Sequence, residues 1–246
     1  MAELQELLEK VKTYDWGQSR LALTEVSDII KAAFGSPAKL REIERSLIGV
    51  LESDAKYAGK QFVCRKLSII GTKQSVPALA EMLIKPKFSD MARYALERIP
   101  DESVDEALRD ALPKTSGKTK VGIINSLGER RDSKAATALS SLIYDSDDMV
   151  AGSAIAALGK IGGRRATKAL ARAKGETSGK LRMLVLDAFL SCADQLAAKG
   201  RRKQAVAIYK ELSEKGLPEP IRAAAAIGRL NVIKKGRTPL RGNPKR

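Results

Sequence analysis

The sequence has no histidine, two cysteines and one tryptophan, and aromatic residues make up 4% of its 246 positions. Each shortage removes a class of chemistry. Without histidine there is no His-based triad, no imidazole general base and no histidine ligand for haem or zinc. Two cysteines cannot by themselves close a four-ligand structural zinc site. Cys64 and Cys192 stand far apart among apolar neighbours, which predicts buried reduced thiols rather than a disulfide. No stretch approaches the ~18 consecutive apolar residues of a membrane span. The opening MAELQELLEKVK is amphipathic and mixed in charge, without the apolar run and cleavage site of a secretory signal. These features predict a cytoplasmic protein with no membrane span and no cofactor.

Acidic residues are scarce, but only in one half. Residues 1–112 hold 17 bases and 18 acids, whereas residues 113–246 hold 28 bases and 11 acids. The whole excess that brings the formal net charge to +16 therefore lies C-terminal.

What the chain has in quantity is Ala, Leu and Ile at helical spacing. No run alternates with period two, so an all-α fold without a sheet is expected. Four segments align: CRKLSIIGTKQSVPALAEML (64–83), RYALERIPDESVDEALRDAL (93–112), INSLGERRDSKAATALSSLI (124–143) and IAALGKIGGRRATKALARAK (155–174). Their anchor leucines, Leu67, Leu96, Leu127 and Leu158, are 29, 31 and 31 residues apart. Such a period signals stacked helix pairs, each too small to bury its own apolar face. Val63, Leu67 and Ile70 fall on one helical stripe, as do Ala92, Leu96 and Ile99, and Ala154, Leu158 and Ile161. Asp101 and Ser133 are expected to cap the helices that follow them, and Ser36-Pro37 suits a helix start. Residues 2–12, 17–34, 38–52 and 55–70 read as helices before the regular repeats. Residues 179–198, 201–214 and 219–233 read as helices after them.

The segment AALGKIGGRRATKAL (156–170) resembles the short HEAT-like repeats first associated with phycobilisome lyases. That repeat type ends its second helix in Ala-Leu-Gly-x-Ile-Gly, matched here by Ala157-Leu158-Gly159-Lys160-Ile161-Gly162. Asn125-Ser126-Leu127-Gly128 is a partial match and Leu67-Ser68-Ile69-Ile70-Gly71 a looser one. Leu96-Glu97-Arg98-Ile99-Pro100 has proline in place of the glycine, and Val150-Ala151 stands where the repeat usually carries Val-Arg. The resemblance implies a right-handed α-solenoid of about seven stacked helix pairs, a HEAT-like superhelix. One array over 1–235 is expected. It would comprise irregular capping helices at 1–58, regular repeats at 59–175, C-terminal capping helices at 176–235, and a basic disordered tail at 236–246. Arrays of this kind mostly present binding surfaces.

Several constellations bear on function. Leu112-Pro113-Lys114-Thr115-Ser116-Gly117-Lys118-Thr119 approximates a phosphate-binding loop, but the first glycine is missing and no strand precedes it. An inter-repeat turn is expected there. The carboxylates Asp101/Glu102, Asp105/Glu106 and Asp145/Asp147/Asp148 read as caps and helix-dipole partners, with no metal site expected. Trp16 is expected to pack as an aromatic closing the first helix pair, with a ligand cage as the alternative. On the second helices, which line the concave face of HEAT-type arrays, Arg65, Arg93, Tyr94 and Asn125 are candidate partner-binding residues. They either form a recognition strip or satisfy neighbouring groups and face water. Arg130, Arg131, Arg164, Arg165, Lys168, Arg172, Arg201, Arg202 and Lys203 are candidates for an edge that follows phosphates or an acidic partner. Eight bases and one acid between 160 and 182 support that edge; a merely solubilising surface is the alternative. The expected function is a non-catalytic scaffold for a macromolecule, a protein partner first and nucleic acid second, with a monomer favoured. Bilin lyases and HEAT-like DNA glycosylases are the enzymatic precedents. A glycosylase needs aromatics and a placed carboxylate around the lesion, whereas the one tryptophan lies outside the basic half.

Overall fold

The computed structural model describes residues 2–237. Among these residues it contains fourteen α-helices and no strand. They are α1 (Ala2–Thr13), α2 (Leu21–Ala32), α3 (Pro37–Glu52), α4 (Tyr57–Ile70), α5 (Val76–Leu83), α6 (Pro86–Leu96) and α7 (Glu102–Ala111). Then follow α8 (Gly117–Glu129), α9 (Ala136–Leu142), α10 (Asp148–Ile161), α11 (Gly163–Glu176), α12 (Gly179–Ala198), α13 (Arg202–Leu212) and α14 (Glu219–Arg237). Packing divides the chain into two compact units, Met1–Ser126 and Leu127–Arg246. The last helix takes in Gly236 and Arg237, and the tail expected at 236–246 otherwise lies outside the described residues.

Each unit is a stack of helix pairs, the local arrangement of an α-solenoid. In the first, α3 packs on α4 and α5, α4 on α6, and α5 on α6 and α7. In the second, α9 packs on α10 and α11, α10 on α11 and α12, and α12 on α13 and α14. A helix thus meets its hairpin partner and also the equivalent helix of the next pair. The anchor leucines Leu67, Leu96, Leu127 and Leu158 are all fully buried. The stripes drawn around them are buried too, from Val63 and Ile70 to Ala154 and Ile161.

Small residues set the separation between successive helices. A Cβ built on Gly128 would lie 2.9 Å from both Cα and Cβ of Ala157. One on Gly159 would lie 3.0 Å from the Cβ of Ala188. The Leu-Gly signature therefore marks close helix contact as well as a helix end. Gly162 does end α10: its φ of 61° belongs to the left-handed region that side chains disfavour.

The polar joints are specific. Asp101 caps α7 by accepting from Ser103 N at 2.9 Å, and Asp147 caps α10 by accepting from Met149 N at 2.8 Å. The cap expected from Ser133 is not formed: the N-cap position of α9 is Ala135, which has no side-chain acceptor. Asp132 instead braces the turn before it, accepting from Lys134 N at 3.0 Å. Ser36 adopts an extended backbone with Pro37 opening α3, but its side chain makes no capping bond. The phosphate-loop look-alike forms a short 3-10 turn at Leu112–Lys114 and the first turn of α8, with a helix before it.

Leu158→Ala is expected to cost about 2–5 kcal/mol, as buried leucine deletions do. Denaturant unfolding measures it; a midpoint equal to that of the parent would show that Leu158 does not anchor its pair.

Candidate functional site

Buried polar groups come first, because they show which candidate residues are already engaged. Glu44 of α3 is fully buried. Its carboxylate accepts from Thr72 N at 2.6 Å, from Thr72 Oγ1 at 3.0 Å and from Ser75 Oγ at 2.6 Å. It thus fastens α3 to the turn that opens α5, a structural use of a buried charge. In the second unit Tyr209 donates to Asp194 at 2.6 Å, and Lys174 pairs with Glu211 at 2.5 Å. Burial first, and then the carboxylate of Asp194, raise the pKa of the Tyr209 hydroxyl.

The four expected partner-binding residues separate into two kinds. Arg93 is an internal strut: it pairs with Asp90 at 2.7 Å and Glu97 at 3.5 Å, and donates to Ser126 Oγ at 3.3 Å. Its guanidinium lies over Gly122, where any Cβ would come within 2.6 Å of Nε. It therefore ties α6 to α8. Arg65, Tyr94 and Asn125 are exposed, each two residues before its anchor leucine, on α4, α6 and α8. Arg98 stacks its guanidinium over Tyr94, 3.9 Å from the ring centroid.

The basic candidates lie at three turns and on two helices. Arg130 is half-buried and Arg131 exposed in the turn after α8. Arg164 and Arg165 are exposed in the first turn of α11, and Arg201, Arg202 and Lys203 are exposed at the start of α13. These turns follow the C-terminal ends of α8, α10 and α12. Those ends are linked by the Gly128–Ala157 contact, by Lys160 pairing with Glu129 at 2.5 Å, and by Gln195 donating to Gly159 O at 2.5 Å. Along α11, Lys168 is exposed, while Arg172 pairs with Glu176 at 2.8 Å.

Trp16 does not close the first helix pair. It is 62% exposed, in the turn between α1 and α2. Leu4, Leu7, Leu8 and Val11 of α1 already bury that interface with aliphatic side chains, so the ring is left outside. It meets Tyr57, with ring centroids 5.3 Å apart, and Tyr57 stacks on Phe88 at 5.9 Å. This row was not read from the sequence. One signal was available: Tyr57 and Phe88 are 31 residues apart, one repeat period. Trp16, Tyr57 and Asp15 do come together, but on an exposed surface. The two rings touch and leave no slot between them for an extruded base, as base excision requires.

A second unforeseen feature is on α14. Ile227 is 60%, Leu230 55% and Ile233 37% exposed, and Ala223 and Ala226 share their face. The opposite face buries Ile221, Ala225 and Val232, and Gly228 admits the ring of Tyr209. The helix is apolar on two sides and packs through one.

Residues 105–189 match the family model of HEAT repeats. That third of the chain is similar to HEAT repeats. The match runs from α7 into α12 and contains Leu127 and Leu158 with their glycines. No curated protein matches the sequence. Among solved structures, an engineered protein from a structural genomics consortium is similar at 17% identity and a TM-score of 0.46, over 94% of this chain and 68% of that one. A designed armadillo repeat protein is similar at 14% identity and a TM-score of 0.40, over 93% and 99%. Another designed armadillo repeat protein, in complex with the peptide (KR)4, is similar at 14% identity and a TM-score of 0.35, over 94% and 99%. No helix among the described residues is long and apolar enough to cross a membrane.

Both thiols are buried and unpaired with each other. Burial pushes Cys64 up to about 12 and raises Cys192 as well. The reactive thiolate is thereby suppressed. Neither cysteine is expected to react with Ellman's reagent at mildly alkaline pH in the native protein, and both are expected to react in guanidinium. Fast native labelling of either would contradict this packing.

Proposed function

We propose that this chain is a non-catalytic HEAT-like scaffold that binds a protein partner through its C-terminal half. The supporting observation is the uncovered row Ile227–Leu230–Ile233 on α14. A contiguous aliphatic row left in water is the usual mark of a protein interface. Arg229 and Lys234, both exposed on the same helix, favour a partner with acidic residues around its apolar ones. Arg65, Tyr94 and Asn125 form a second candidate surface in the other unit, suited to polar contacts.

The double variant Ile227→Asp/Leu230→Asp tests the reading. Partners are captured on the parent and on the variant, and the captured protein is then purified and titrated against both. Binding is expected to weaken at least ~10-fold, while thermal melting stays near that of the parent, since these side chains are exposed. Equal binding by both would remove α14 from the interface. A dimer for the parent and a monomer for the variant in sedimentation would make the row a self-contact instead.

A second reading, nucleic acid on the basic edge, is favoured by the exposed Arg131, Arg164, Arg165, Arg201, Arg202 and Lys203 at consecutive turns. Arg164→Glu/Arg165→Glu is expected to abolish duplex binding in fluorescence anisotropy and to leave the melt unchanged. A parent salt slope near zero would argue against phosphate contacts.

A further inference from the structure

The first turn of α14 holds a charge that its own helix does not call for. Arg222 stands three residues after Glu219, the first residue of the helix, and is half-buried. A cation at a helix N-terminus opposes the helix dipole, which favours cations at the other end. Burial adds a second cost, because nothing compensates it. No ion pair or hydrogen bond engages the guanidinium among the described residues, and its Nε is buried without an acceptor. A half-buried cation left in this state is costly for the free chain and well placed to take a carboxylate from outside.

Arg222 borders the uncovered apolar row. Arg229 follows seven residues later, two helical turns on, and so shares its edge of the helix. Ala226, Leu230 and Ile233 run beside that edge, exposed, while Ile221, Ala225 and Val232 face the core. The positive charge is not matched locally. The helix carries one acid, Glu219, and five bases. On the two helices that pack against it, Asp194 accepts from Tyr209 and Glu211 pairs with Lys174. Asp187 lines the depression between α10 and α12. Glu214, in the turn before α14, is followed directly by Lys215.

The shape of the row restricts its occupant. From Ala223 to Ile233 it is about 15 Å long, roughly three turns, and no wider than one helix face. An extended segment laid on it would leave backbone N–H and C=O groups against aliphatic side chains that offer no partner. A helix satisfies its own backbone, and Ala223 and Ala226 let a second helix lie close. A polyanion without apolar groups would meet the arginines and leave the row in water. A basic helix would be repelled. Resting on the α14 interface proposed above, we infer that its occupant is an acidic amphipathic helix of the partner, anchored on Arg222. Apolar residues at three-four spacing cover Leu230 and Ile233, one carboxylate on the helix edge pairs with Arg222, and a second, two turns away, pairs with Arg229.

The probe is a displayed library of helix-forming peptides of about 18 residues, long enough to hold a helix. Leucine is fixed at three-four spacing, and each edge position is Glu, Gln or Lys. Selection on the full chain is expected to enrich Glu along one edge. A selected peptide, labelled with fluorescein, is then titrated by anisotropy. Arg222→Gln is expected to weaken binding at least ~10-fold, and the exposed Arg229→Gln to act in the same direction. Arg222→Lys is expected to recover part of the loss, since an ammonium lacks the guanidinium fork. Ile227→Asp/Leu230→Asp is expected to abolish binding, and thermal melts verify that each variant folds. Enrichment of Lys or Gln edges would overturn the acidic helix, as would selection of no peptide that prefers the parent to Ile227→Asp/Leu230→Asp. Equal affinity after the peptide's leucines are changed to serine would do the same, because charge alone would then suffice. Loss in Ile227→Asp/Leu230→Asp with none in Arg222→Gln would overturn the anchor and leave the α14 interface standing. Binding unchanged in both would remove the α14 surface itself.

Discussion

The structure depends on one constraint: a single helix pair of this sequence cannot bury its own apolar stripe. Each pair offers a row such as Val63, Leu67 and Ile70 that needs a second surface. The next pair supplies it, and each pair in turn exposes a new stripe. This coupling explains why helices contact their counterparts one pair away, α4 with α6 and α10 with α12. It also explains the glycines, since Gly128 and Gly159 let successive helices come close enough for the leucines to interlock.

Beside this apolar stacking, a few polar joints reach between elements. Glu44 receives three donors from the turn before α5, and Arg93 reaches from α6 to Ser126. Lys160 with Glu129 and Lys174 with Glu211 do the same in the second unit. The buried joints are costly to break, since removing one partner leaves the other desolvated and unsatisfied. The exposed pairs contribute less, because water screens them. Arg93 shows how a large polar residue on the second-helix face can be structural: glycine at 122 clears the space its guanidinium occupies.

An array of this kind separates stability from recognition. Stability resides in the aliphatic stripes and joints. Recognition is left to whatever side chains emerge at turns, edges and ends. Three such surfaces differ in chemistry: an aliphatic row on α14, arginine-rich turns before α9, α11 and α13, and an aromatic row with lysines in the first unit.

Much of this was legible in the chain itself. Leucine spacing near 31 residues and three-four steps of apolar residues determined the helices and the pairing. The boundaries of α12 coincide with the residues 179–198 read from the pattern. Periodicity is local, so it survives without knowledge of the fold. The sites were less legible. Arg93 and Tyr94 are neighbours in sequence, yet one is held by Asp90 and Glu97 of its own helix and by Ser126 across the space over Gly122, and the other is exposed. Trp16 looked like a core aromatic because aromatics usually are, but α1 had already filled its interface with leucine and valine. The rows on α14 and across Trp16, Tyr57 and Phe88 depend on which stripe of a helix finds a neighbour and which turns converge. Composition and period determined what kind of molecule this is; long-range packing alone decided which of its side chains are left to meet another.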